Sequence, residues 1–145
     1  MPNGPRRYKL KTMPADERED ALIPQRLKAL GVTHLSEWDV LTFLYRHSPS
    51  LCTATQIAAL VGYDKAEIGG ALNKLEALDL IKRSRISQGI RIYQFFEPTE
   101  TARLHSLTEL MKLAQNREGR LLLLKHLKSP RHESRRNRNS GLRLA

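Results

Sequence analysis

A chain of 145 residues with 40% hydrophobic content has room for one compact domain and some extra length, and seven prolines with eight glycines exclude a collagen-like or low-complexity class. The net charge of +10 is unevenly divided: residues 1–12 carry +4 (Arg6, Arg7, Lys9, Lys11), residues 128–145 carry +5 (six cations against Glu133), and the 115 residues between net only +1. Basicity therefore lies at the two ends, where a polyanion can be gripped without sequence preference, and no apolar run approaches the 18 residues of a membrane span.

The only cysteine, Cys52, rules out an intrachain disulfide and fits a reducing, cytoplasmic setting. Arg6-Arg7 is not followed by an apolar segment, so a twin-arginine export signal is not expected.

In chain order, residues 1–15 read as a basic flexible arm and 16–35 as an N-terminal helical segment. The acids Asp16, Glu17, Glu19 and Asp20 open it, and Pro24 starts a new turn of a short helix from about 24 to 30, stopped by Gly31. Ser36 is the expected cap of the next helix, with Trp38, Leu41, Leu44 and Tyr45 on one face and the HSPS run as its end. Thr53 and Gln56 form a capping-box pattern for a helix over 54–61, in which Ile57, Ala58, Leu60 and Val61 should bury and Gly62 should stop the chain.

Asp64 and Glu67 repeat that pattern three residues later. Ile68, Ala71, Leu72, Leu75 and Leu78 keep a 3.6-residue rhythm through Gly69 and Gly70, so one uninterrupted helix is predicted over 65–79 despite a cost of about 1 kcal/mol per glycine. Ile81–Ile86 and Ile90–Phe96 are rich in β-branched and aromatic residues around Ser87-Gln88-Gly89, which predicts a two-stranded hairpin. Thr99 should cap a longer helix carrying Leu104, Leu107, Leu110, Met111 and Ala114, interrupted at Asn116 to Gly119 before RLLLLKHL resumes. After Ser129-Pro130 the composition turns polar and basic, and 129–145 read as a disordered basic tail.

The predicted fold class is mainly α with a two-stranded β-hairpin wing. A short helix, a glycine turn, a second helix and a hairpin, in residues 36–98, make a winged helix-turn-helix; flanking helices include a 99–128 dimerisation region. The stretch EWDVLTFLYRHSPSLCTATQIAALVGYDKAEIGGALNKLEALDLIKR, with the hairpin and the helix after it, resembles the MarR-type transcription regulators. That resemblance implies a homodimer joined through helices outside the winged domain, with the second helix in the DNA major groove and the wing along the backbone. The wing RSRISQGIRIYQF departs from the family pattern in lacking an Asp-x-Arg element.

A helical wheel places Ala66, Gly70, Asn73 and Ala77 opposite the buried stripe, with Gly69 beside them and Lys65 and Lys74 at the flanks. Asn73 suits a bidentate contact to adenine, and the lysines suit phosphate or guanine. Lys82, Arg83, Arg85 and Arg91 on the wing suit backbone contacts. The plainer reading of all these charges is a solvated face. Cys52 precedes a helix cap, where a thiolate would be favoured, but a lone loop cysteine is more commonly a small buried side chain. The five histidines show no metal-ligand spacing, no phosphate loop or catalytic motif appears, and neither enzyme activity nor a cofactor is expected.

The expected partners are double-stranded DNA and a second copy of the chain, in a cytoplasmic, nucleoid-associated setting. The four leucines 121–124 point around most of a helix, which favours a partner surface. The main rival function is a winged helix used as a protein-interaction module in a nucleic-acid-associated assembly; RNA binding through the basic ends is a third.

Overall fold

The computed structural model describes residues 15–48, 52–85 and 90–129. Residues 1–14 of the expected arm over 1–15, the hairpin turn Ser87-Gln88-Gly89 and the tail beyond Ser129 lie outside the described residues, while Ala15 belongs to the first helix.

Helix α1 spans Ala15–Leu30 without a break at Pro24, so the expected new start at that proline is corrected. An interior proline costs about 3 kcal/mol, but Ile23, Leu27 and Leu30 form one stripe exposed by 4% or less, and that burial holds the helix together. Gly31 ends it at φ +90°; a side chain there would be strained, and its Cβ would lie 2.5 Å from Leu78 Cδ2.

Helix α2, Leu35–Arg46, begins two residues earlier than a Ser36 cap would set it. His34 is its N-cap, not Ser36, because Glu37 Oε1 reaches back to accept from the backbone N–H of Thr33 (3.0 Å) and His34 (3.3 Å). Ser36 is consequently buried in the first turn.

Helix α3 is Ala54–Val61, closed by the Thr53–Gln56 capping box (2.9 and 3.2 Å) and by Gly62 at φ +83°. Ile57 is fully buried, while Ala58 and Val61 are half-buried. Leu60 is 68% exposed and does not join the core as expected. An eight-residue helix turns few of its positions inward, and Leu60 falls outside that arc.

Helix α4, Lys65–Ala77, runs unbroken through both glycines, with Asp64 capping Glu67 N–H at 2.8 Å. Ile68, Ala71, Leu72 and Leu75 are buried on one stripe. Tyr63, just before it, is pinned by an O–H bond to Asp39 Oδ2 of α2 at 2.6 Å.

The hairpin pairs β2 (Ile81–Arg85) with β3 (Arg91–Phe95), Ile81 opposite Phe95 and Arg85 opposite Arg91. A third strand, β1 (Cys52–Thr53), adds to the other edge of β3, so the sheet is three-stranded in the order β1-β3-β2 rather than two-stranded. Two residues are too few to show a period-2 signal in sequence.

Helix α5, Thr101–Leu113, takes Glu100 as N-cap, not Thr99. The break expected at 116–119 falls at 114–116, because Asn116 is itself the cap of α6 (Arg117–Leu124), accepting from Gly119 N–H at 2.7 Å. Leu107, Leu110, Met111 and Ala114 of the α5 face join the α1 stripe, α2 and α4 in one continuous core.

Two features tie the outer helices to the winged unit. Arg103 of α5 donates to three carbonyls, those of Ala29 (3.3 Å), Leu30 (3.2 Å) and Leu78 (2.6 Å), so one guanidinium closes the C-terminal ends of both α1 and α4. After α6 the chain returns to the α1–α2 link: Lys128 N–H donates to Thr33 O (3.0 Å) and Leu35 N–H donates to Lys128 O (2.7 Å), forming a parallel bridge between His34 and Lys128. His126 Nε2 also donates to Asp20 Oδ1 at 2.8 Å, and this bond holds the Asp20 carboxyl below the usual carboxylate range.

Candidate nucleic-acid interface

The outer side of α4 carries Ala66, Gly70, Asn73 and Ala77, all exposed, with Gly69 half-buried at their edge. A Cβ built on Gly69 or Gly70 would meet nothing within 4 Å. Neither glycine is therefore required by the protein's own packing, and the helix carries their propensity cost with no internal return. A backbone left bare in this way permits close approach by something outside the chain.

Beside this face runs an open groove, about 620 Å³, between the start of α2 and α4; His34, Ser36 and Glu37 form one wall and Ala66, Gly70 and Lys74 the other. Glu37 is only 7% exposed. Its Oε2 lies 3.3 Å from His34 Nδ1 and 3.8 Å from Lys74 Nζ, so one buried carboxylate ties the capping residue of α2 to the flank of α4. Asp64 and Glu67 add further carboxylates to the groove lining.

Two of the wing cations also have partners within the chain. Arg83 Nε sits 3.3 Å from Glu76 Oε2 of α4, and Lys82 Nζ sits 4.0 Å from the centroid of the Phe96 ring. Lys65 and Arg91 are exposed. Arg85 is in β2 opposite Arg91, and its side chain lies outside the described residues. The ten residues singled out from sequence thus split into an α4 group (Lys65, Ala66, Gly69, Gly70, Asn73, Lys74) and a wing group (Lys82, Arg83, Arg85, Arg91), joined by the Glu76–Arg83 pair.

Sequence reasoning missed the three internal partners Glu37, Glu76 and Phe96. Each meets its cation across elements, and no helical or strand spacing records such a pairing. Residues 36–98 hold seven Lys and Arg against seven Asp and Glu, so the winged unit carries no net charge of its own.

Cys52 is half-buried in β1, and desolvation pushes its thiol up, away from the reactive thiolate. Trp38 is a core residue at 5% exposure. Among the described residues no three His, Cys, Asp or Glu side chains converge as a metal site, and no helix is long and apolar enough to cross a membrane.

A helix-turn-helix followed by a hairpin, framed by α1, α5 and α6, defines a winged helix-turn-helix protein. Residues 30–89 match the model of the MarR family. The fold is similar to that of a point mutant of Staphylococcus aureus MepR bound to an oligodeoxyribonucleotide, with 18% identity, 94% of each chain covered and a TM-score of 0.51. It is also similar to the S. aureus MepR–DNA complex, at 20% identity over 81% of this chain and 94% of that one, with a TM-score of 0.51. No curated protein matches the chain. The chain thus has a winged helix-turn-helix fold, and its residues 30–89 are similar to the MarR family.

Proposed function

We propose that the protein is a DNA-binding transcription regulator that works as a homodimer, with α4 in the major groove and the β2–β3 wing along the phosphate backbone. The observation that carries this reading is the uncovered outer side of α4, where Gly69 and Gly70 have open space and Asn73 stands exposed between two lysines. Both MepR complexes hold DNA on a similar fold, which supports the same ligand class here.

Asn73 is the candidate base reader, through a bidentate pair with adenine worth about 1–3 kcal/mol. Lys65, Lys74 and the wing cations are candidate phosphate contacts. The dimer surface is α6, where Leu121 and Leu124 are 51% and 44% exposed.

Selection of bound duplex from a random pool tests this reading. An enriched palindrome is expected, and Asn73→Ala should relax its preference at one position per half-site. No enrichment, together with no duplex binding at low salt, would sink it.

A protein-interaction module is the second reading, and a specific observation favours it: the winged unit is electrically neutral, and Lys74, Lys82 and Arg83 are already engaged within the chain. A stoichiometric protein partner in a pull-down, with the pool selection blank, would establish that alternative.

A further inference from the structure

We propose that Arg103 is a positioning residue for DNA recognition: by clasping the C-terminal end of α4 to that of α1, it sets the angle of the reading helix against the outer helices. That angle in turn sets the half-site spacing the dimer accepts. The role rests on the dimeric DNA-binding reading and adds to it the residue that fixes the geometry.

The helices pack in two groups. α1 packs along α5 and touches α6, whereas α4 has its long contacts with α2 and α3. The outward leucines of the proposed dimer surface, Leu121 and Leu124, belong to the first group and the reading helix to the second. Two readers can meet two half-sites one helical turn apart only if the angle between these groups is held.

Two contacts at Leu78 hold it. Gly31, the stop of α1, leaves room for the Leu78 side chain; a Cβ at Gly31 would lie 2.5 Å from Leu78 Cδ2. The Leu78 carbonyl accepts from Arg103 Nη2 at 2.6 Å. The same nitrogen donates to Leu30 O at 3.2 Å, and Arg103 Nε donates to Ala29 O at 3.3 Å. Guanidinium donors sit in a rigid planar fork, so engagement of two α1 carbonyls leaves the direction toward Leu78 little freedom. The cation also stands where two helix dipoles present their negative ends.

The wing leaves from the same end of α4. Asp79 turns the chain at φ +58°, Leu80 N–H returns to Leu75 O at 3.0 Å, and Leu80 O accepts from Phe96 N–H at 2.9 Å. A shift at Arg103 therefore carries the reading helix and the wing together. Helix α4 has 13 residues. At 1.5 Å per residue it is about 20 Å long, so a tilt of roughly 10° at the joint moves its far end by about 3.4 Å, the rise of one base pair.

The experiment compares the full-length protein with Arg103→Met on the palindrome selected from the random pool, and on versions whose spacer is longer or shorter by one base pair. The ratio of affinities, selected over altered spacing, should narrow by roughly fivefold or more in the variant, the lower end of typical coupling between sites. Lost stability lowers the folded fraction equally for every duplex and does not move this ratio. Ile57→Val, which thins the core under α3 away from the joint, is the control and should keep the ratio of the unaltered protein. If Arg103→Met does not fold, Arg103→Lys, with the charge but not the fork, takes its place with the same expected narrowing. An unchanged ratio overturns the positioning role, as does an equal narrowing in Ile57→Val. Failure of the unaltered protein to enrich any palindrome would instead remove the underlying dimeric DNA-binding reading.

Discussion

At the scale of single residues, Gly69 and Gly70 separate two demands that usually coincide. A glycine is usually kept by its backbone conformation or by a close neighbour, as at Gly31 with φ +90°. Here there is room, and alanine would be the better helix former. Gly69→Ala and Gly70→Ala are each expected to raise stability by about 0.5–1 kcal/mol in denaturant melts while weakening duplex binding in a shift assay. Gains in both stability and affinity would show that the bare surface is not a contact surface. The buried stripe and the bare face of α4 were legible in the sequence, since both follow from a 3.6-residue period. The engagement of Lys74 by Glu37 was not, because 37 positions separate them and only the fold brings them to 3.8 Å.

At the scale of elements, local signals were readable where both partners lie within one turn. The Thr53–Gln56 box and the Gly62 stop placed α3 at its observed bounds, and the Asp64 cap placed the start of α4. Caps were misplaced where a tertiary or longer reach intervened: Glu37 moves the start of α2 back to His34, and packing of Ile23, Leu27 and Leu30 carries α1 through Pro24. β1 escaped notice because its identity rests entirely on its pairing with Tyr93 and Ile92. The joint between elements is Arg103. Arg103→Met keeps the stem but deserts three carbonyls at two helix ends, and it should cost about 2 kcal/mol or more, at the level of hydrogen bonds to a charged group. Thermal unfolding followed by circular dichroism measures this, and a melting temperature equal to that of the unaltered protein would dismiss the guanidinium as a fastener.

At the scale of the whole molecule, α6 presents Leu121 and Leu124 outward while Leu123 and Leu127 turn into the core. For the proposed homodimer, replacing both outward leucines with Glu leaves the core intact and should convert two chains to one in sedimentation equilibrium. A mass that stays at two chains would move the seam off α6. The winged unit also has its Lys74 and Arg83 already held by carboxylates, at 3.8 and 3.3 Å. If the proposed DNA-binding function holds, a phosphate would have to compete with Glu37 and Glu76 before it gained either cation, and random sequence would give little reward. On that proposed reading, residence off target would be brief, and discrimination would rest on Asn73, the proposed base reader, repaying the exchange of partners.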